Sequence, residues 1–238
     1  MDDALRFIRA TDNEVQRGDL LGWSPETAGE ASLASALLQG QCGLAKDLLL
    51  ARYAAGVDLA VLCDDFICPA MKAVGELWRG GSEGVLLEHL ATSVLIDALH
   101  RLRALTEAPA DRLAIGGAVE NDPYVLPTLM TSVVLSASGW DARDLGAGTP
   151  FEVFLEAIDS LQPNLVWLAI NTAEDPDRLR DGVATLLERA GPDTYEVVLG
   201  GREVSRLNLG EHSSLHLVEG MVALQRVASE RSAALVAG

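Results

Sequence analysis

Residues 75–89 read GELWRGGSEGVLLEH, so an indole at position 78 is followed, after nine intervening residues, by the pair Glu88 and His89. Each of the three brings a different capacity. The indole of Trp78 offers a flat apolar face. The carboxylate of Glu88, set in a leucine-rich run, requires a partner or a ligand, because burying it bare is costly. The neutral imidazole of His89 is a ready metal ligand. On a helix of about 100° per residue, Glu88 falls within about 60° of Ala91, Leu95 and Leu99, the stripe that faces a bundle or a neighbouring domain. His89 lies about a third of a turn away, with Ser93, Ile96 and His100. The plain alternative is a packing tryptophan, a rim glutamate and a surface histidine.

The elements that must position these residues divide into two regions. Residues 1–29 are polar, contain Gly18, Gly22, Pro25 and Gly29, and read as a mostly irregular arm without a DNA-binding helix pair. From 30 to 108 the apolar period is helical, in four segments at about 31–39, 42–55, 58–78 and 83–106. This is the pattern of a four-helix bundle. Gly40, the turn from Gly56 to Asp58 and the Arg79–Ser82 stretch separate the segments, with Ser82 as N-cap of the last. Pro69 is expected to kink the third helix.

From 109 to 238 the pattern changes to short strand-like runs at 112–119, 140–146, 164–171, 195–201 and 214–220. Helical segments at 126–138, 150–161, 176–190 and 221–236 alternate with them. Such alternation implies an α/β fold with a doubly wound parallel sheet, and its ligands sit beyond the carboxyl ends of the strands. Those ends read VENDPYVLP, LGAGTP, INTAED and LGGR.

Composition excludes several classes. A hydrophobic content of 49% over 238 residues is enough to build a real core. No apolar run reaches the roughly 18 residues of a membrane span, and the N-terminus has no signal-like apolar region, so a cytoplasmic protein is expected. The formal charge of −17, from 35 acidic and 18 basic residues, opposes a nucleic-acid partner. Cys42, Cys63 and Cys68 lack C-x-x-C spacing and read as core thiols. No G-x-S-x-G or Walker loop occurs. The run Glu174–Asp177 reads as a solvated helix start. His212 and His216 flank a strand start, where a four-residue spacing does not make a metal pair, and His100 reads as a surface residue.

The helical stretch from ALLQG through GVDLAVLCDDFICPAMKAVGELWRGG to LLEHLATSVLIDAL resembles the helical cap of cobalamin-binding proteins, and residues 112–235 resemble the flavodoxin-like cobalamin-binding α/β domain that follows such a cap. Within that family the W-x(9)-E-H spacing is similar to that of the light-sensing CarH, LitR and AerR type regulators. The resemblance implies that Trp78, Glu88 and His89 close over the upper face of a cobalamin held between cap and α/β domain. It also implies a lower axial histidine in a D/E-x-H-x-x-G loop after the first strand. Here an alignment anchored on SGWDARDLGAGTP, a segment that includes Thr149, puts Asp122, Tyr124 and Pro127 at that motif's positions, and a register two residues earlier also lacks the histidine.

Tyrosine is a poorer cobalt ligand than imidazole; the metal contact is left open, with His89 and Tyr124 as its candidates. The family's S-x-L, whose serine meets the nucleotide tail, falls on Ala169, Ile170 and Asn171, while Gly200 and Gly201 match its glycines, with Arg202 beside them. Arg79 replaces a histidine that some of these photoreceptors use after illumination.

Three readings of the pocket remain open: cobalamin (adenosylcobalamin or another form) in a different binding mode, another tetrapyrrole such as haem or a bilin, or no cofactor at all. The corresponding functions are a non-enzymatic sensory regulator, light-linked and acting on a regulatory protein partner as an antirepressor does, and a cofactor-free interaction scaffold. A corrinoid protein of a methyl-transfer system is the third. A homo-oligomer is compatible with each.

Overall fold

The computed structural model describes residues 32–77, 82–106 and 111–237. The arm at 1–29, Trp78 and Arg79 lie outside the described residues. The chain divides into two compact units between Arg101 and Leu102.

The first unit is helical. Helix α1 (Leu33–Leu38) starts at Ser32, whose hydroxyl accepts the Ser35 N–H at 3.1 Å, and Gly40, with φ +66°, turns the chain into α2 (Cys42–Ala54). Asp58 caps α3 (Leu59–Val61) by accepting the Ala60 N–H at 2.8 Å. The third expected helix then continues through a π-wound stretch, Leu62–Ile67, into α4 (Cys68–Leu77). The disturbance expected from Pro69 therefore takes the form of a wider turn. Cys68 N–H bonds the Cys63 carbonyl five residues back, which shifts the ladder just before the residue that has no N–H to give.

Helix α5 (Ser82–Thr106) closes the unit. Its Leu95 and Leu99 are fully buried, as are Leu48, Leu49, Leu62 and Val74 on the other helices. Lys46 on α2 reaches Asp97 on α5 at 3.2 Å. Of the three cysteines only Cys63 is a core thiol; Cys42 is half-buried and Cys68 exposed, which corrects the expectation of three core positions. Burial pushes the Cys63 thiol far above its usual range, and nearby Cys68, Asp64 and Asp58 push it further, which keeps it protonated at neutral pH.

The second unit is an α/β sandwich whose elements follow the expected alternation. Strands β1 (Leu113–Ala118), β2 (Asp141–Asp144), β3 (Leu165–Ala169), β4 (Glu196–Gly200) and β5 (Leu215–Val218) form one parallel sheet in the order β2-β1-β3-β4-β5. This is the flavodoxin-like order, with its crossover point between β1 and β3. The crossovers carry α6 (Val125–Ala137), α7 (Phe151–Leu161) and α8 (Pro176–Leu187), and α9 (Met221–Ala237) follows β5.

One face of the sheet is covered by α7 and α8. Phe151, Phe154, Ile158, Leu179, Val183 and Leu186 pack there with Ile115, Val166, Leu168 and Val197. The other face is covered by α6, which contacts β1, β2 and β3 and is itself flanked by α9. Every α6 residue from Thr128 to Ser136 is buried, so this helix is a central element and not an amphipathic surface one. Arg103, in the last turn of α5, donates to Ser132 Oγ at 3.4 Å and to the Ala142 carbonyl, fixing α6 and β2 to the start of the unit.

Candidate functional site

The loops at the carboxyl ends of β1, β3 and β4 converge at the crossover point. After β1 the chain bridges Val119 to Thr149, turns through Asn121 at φ +61°, and presents Asp122. Asp122 is completely buried. Its Oδ2 accepts the Asn171 backbone N–H at 2.5 Å and the Asn171 side-chain amide at 3.2 Å, and its Oδ1 accepts the Tyr124 N–H at 3.1 Å. A buried carboxylate is tolerated here because three N–H groups surround it. Asp122 thus ties the loop after β1 to the loop after β3, and its own carbonyl accepts the Gly148 N–H, adding the loop after β2.

Tyr124 caps α6 by backbone only, with its side chain 42% exposed. The Arg202 guanidinium lies over its ring, 4.9 Å from the centroid, and donates to the Asn171 carbonyl at 3.4 Å. Asp122, Tyr124, Asn171 and Arg202 are therefore one cluster at the rim. Pro127 is the third helical residue of α6, because the helix begins at Val125 and not at 126; the first turn needs no intrahelical N–H donor there.

The remaining rim residues find ordinary structural reasons. Thr149 is buried, its hydroxyl within 3.3 Å of the Leu145 and Gly146 carbonyls, and Ala169 is buried at the end of β3. Gly201 has φ +119°, and a methyl group on it would lie 2.3 Å from the Ile170 carbonyl oxygen. Gly200 would bring one to 3.3 Å from Val218. The glycine pair thus serves the close approach of β4's end to its neighbours, with or without a ligand.

On α5, Glu88 is half-buried and accepts the Thr92 hydroxyl at 3.2 Å, while His89, with its side chain 74% exposed, stands 3.6 Å away from it. His100 is exposed. Asp175 caps α8 by accepting the Arg178 N–H at 3.1 Å, which accounts for the acidic run at 174–177. The side-chain hydrogen bond from Arg178 to Glu120 holds that guanidinium even more firmly protonated than usual and ties the loop after β1 to α8. His212 accepts the Ser214 N–H at 3.2 Å, whereas His216 meets Glu196 at 2.9 Å, so the two histidines serve different partners. Among the described residues no cluster of His, Cys, Asp and Glu is arranged to hold a metal ion.

Three residues that sequence reasoning passed over complete the picture. Trp167 Nε1–H donates to Thr128 Oγ1 at 2.9 Å, and the Thr128 hydroxyl donates to Asp144 Oδ1 at 2.8 Å. The signal was a tryptophan inside the apolar run NLVWLAIN beside a glycine pair in β1, a bulky residue with a donor that must find an acceptor when buried.

Residues 30–103 match the family of the B12 binding domain. Among solved structures, a monomethylamine corrinoid protein from Methanosarcina barkeri superposes with a TM-score of 0.63 at 18% identity, over 83% of this chain and 95% of that one. That likeness establishes the fold. A methanol:cobalamin methyltransferase complex, MtaBC, from the same organism matches with a TM-score of 0.46 at 18% identity, over 97% of this chain and 92% of that one. A novel cobalamin-binding protein from Desulfitobacterium hafniense DCB-2 matches with a TM-score of 0.43 at 20% identity, over 84% and 96%. No curated protein matches the sequence.

The rim does not fit a cobalamin whose metal is held from the α/β unit by imidazole. The loops after β1, β2 and β3 carry no histidine: His89 and His100 are on α5, His212 lies in the β4–β5 connection beside the amino end of β5 and not at the carboxyl-end rim, and His216 lies within β5. The phenol at position 124 is engaged by Arg202 through its ring.

Proposed function

We propose that this chain is a non-catalytic corrinoid-binding regulator that reports the state of its ligand to a protein partner. The match of residues 30–103 to the B12 binding domain supports the corrinoid-binding part of this reading. Among the described residues no His, Cys, Asp and Glu cluster is arranged to hold a metal ion, and in this reading the chemistry is supplied by the bound corrinoid. The acidic surface, with a formal charge of −17, favours a protein partner over nucleic acid. The ligand acts by binding two arrangements of the chain unequally, since equal affinity for both shifts nothing. Trp78, Glu88 and His89 are the contacts expected on the helical unit, and the Tyr124–Arg202–Asn171 cluster those expected on the sheet rim. The resemblance of the Trp78 to Glu88–His89 spacing to that of the light-sensing regulators is what suggests light as the input. A methyl-carrying corrinoid protein, which the monomethylamine protein's name describes, is the competing reading; tyrosine in place of imidazole at position 124 counts against it.

The test is retention of ligand through desalting. Purified chain is mixed separately with hydroxocobalamin, adenosylcobalamin, haem and biliverdin, and its visible spectrum is recorded before and after illumination. One corrinoid per chain is expected to remain, and Trp78→Ala or His89→Ala to lower retention by at least about tenfold, the loss of roughly 1.4 kcal/mol. Retention of haem or biliverdin alone would assign a different tetrapyrrole, and a clean baseline after every addition would leave an interaction scaffold. A bound corrinoid insensitive to illumination would remove light from the proposal.

A further inference from the structure

On the sheet face under α6 strand β1 presents only small side chains, and the protein fills the space over them with its own indole. Strand alternation places Ala114, Gly116 and Ala118 of β1 on this face, opposite Ile115 and Val119, which belong to the aliphatic core on the other side. On β3, Trp167 and Ala169 share it, alternating with Val166 and Leu168. Gly116 and Trp167 are direct partners in the β1–β3 register. A methyl group on Gly116 would lie 2.2 Å from Trp167 Cδ2 and 2.4 Å from Cγ, so the indole lies across the glycine where a side chain would otherwise stand.

Trp167 is 2% exposed, and its one polar atom is bound by Thr128 of α6. Through Thr128 it is linked to Asp144, which also accepts the Gly146 N–H at 2.9 Å. Helix, strand and loop all hold the ring in place.

A cobalamin carries a planar aromatic base on a nucleotide tail, and the base either stays on the metal or leaves it. A base that leaves must be received in a flat slot walled by backbone and small side chains, or remain in water, and the metal must gain a substitute donor. In this chain the trough over β1 beneath α6 holds a planar ring already, the loops after β1, β2 and β3 offer no imidazole, and His212 of the β4–β5 connection is engaged by the Ser214 N–H beside the amino end of β5. We infer that the α/β unit has no slot for the base, so that a corrinoid bound by this chain keeps its own base on the metal. This inference rests on the corrinoid-binding reading above.

The experiment uses the full chain, loaded in parallel with cob(II)alamin and with the Co(II) form of cobinamide, the same ring lacking the nucleotide. Electron paramagnetic resonance reports a nitrogen donor below the metal as a splitting of the cobalt lines. The expected result is retention of both, with nitrogen splitting for cob(II)alamin and its loss for cobinamide, which assigns the nitrogen to the cofactor's own base. Bound cob(II)alamin without the splitting would show the base displaced and would overturn the inference while leaving corrinoid binding intact. Splitting with bound cobinamide would reveal a protein nitrogen on the metal and would overturn it as well. Retention of neither corrinoid would overturn the binding reading and this inference together.

Discussion

The two faces of the sheet are built on different principles. Under α7 and α8 the contact is hydrocarbon: two phenylalanines, 6.3 Å apart between ring centroids, and a layer of Ile, Leu and Val. Under α6 the contact is narrow and partly polar, with Gly116 against an indole and a hydrogen-bonded run from Trp167 through Thr128 to Asp144. The first face gains its stability from apolar area, which has no direction. The second gains less per residue but fixes where one ring sits, because a buried N–H has a single acceptor within reach. Rigid positioning and bulk stability are thus assigned to opposite sides of one sheet.

Substitutions should separate the two roles. Phe154 is fully buried in the hydrocarbon face, so Phe154→Ala should lower unfolding free energy by about 3–5 kcal/mol in a denaturant titration. A loss below about 1 kcal/mol would mean that this face is not the stability source. Gly201→Ala tests the rim where the faces end. Its φ of +119° and the 2.3 Å approach to Ile170 predict a loss of about 1–3 kcal/mol, whether or not ligand is present. A variant of unchanged stability but weakened ligand retention would instead assign the glycine to the ligand.

Thr128→Val keeps the volume and removes the acceptor of the Trp167 N–H. The expected loss is about 1–3 kcal/mol, accompanied by a change in tryptophan near-ultraviolet dichroism as the indole loosens. Full stability with an unaltered signal would show that packing alone positions the ring.

The smallest effect belongs to the helical unit. Hydrogen bonds from Lys46 and then Arg101 hold the Asp97 carboxyl below its ordinary value of 3.8. Because the folded pKa is depressed, the contribution is present above pH 3.8 and is lost as pH falls through the lower, folded value. Asp97→Asn should therefore be slightly less stable than the parent at neutral pH, by well under about 1 kcal/mol for so exposed a pair, with the difference vanishing in acid. A thermal midpoint series against pH reads this, and a difference that grows in acid would reverse the assignment.

The alternation of elements was legible to within a few residues because it rests on hydrophobic period, which is local. The glycines and proline were harder. Pro69 signals a break in the helical ladder, yet nothing in the sequence says that the chain answers with a π-wound stretch and not a bend, since that depends on which carbonyl the neighbouring turn can still reach. Gly200 and Gly201 read equally well as a ligand approach or a tight turn, and only the contact with Ile170 supplies the second reason. Asp122, read as a motif residue, turns out to hold Asn171 and Tyr124 through three hydrogen bonds. Residues that lie far apart in the chain meet there through the parallel crossovers.

The sequence by itself determined the change from a helical to an alternating period, the strand count and the absence of an imidazole at position 124, because residue identity and spacing are sufficient for each. The tertiary structure decided that Arg202 stands over Tyr124, that His212 and His216 serve different partners, and that an indole fills the trough under α6. Those facts depend on strand order and register, which bring β1, β3 and α6 against one another and which no local pattern encodes.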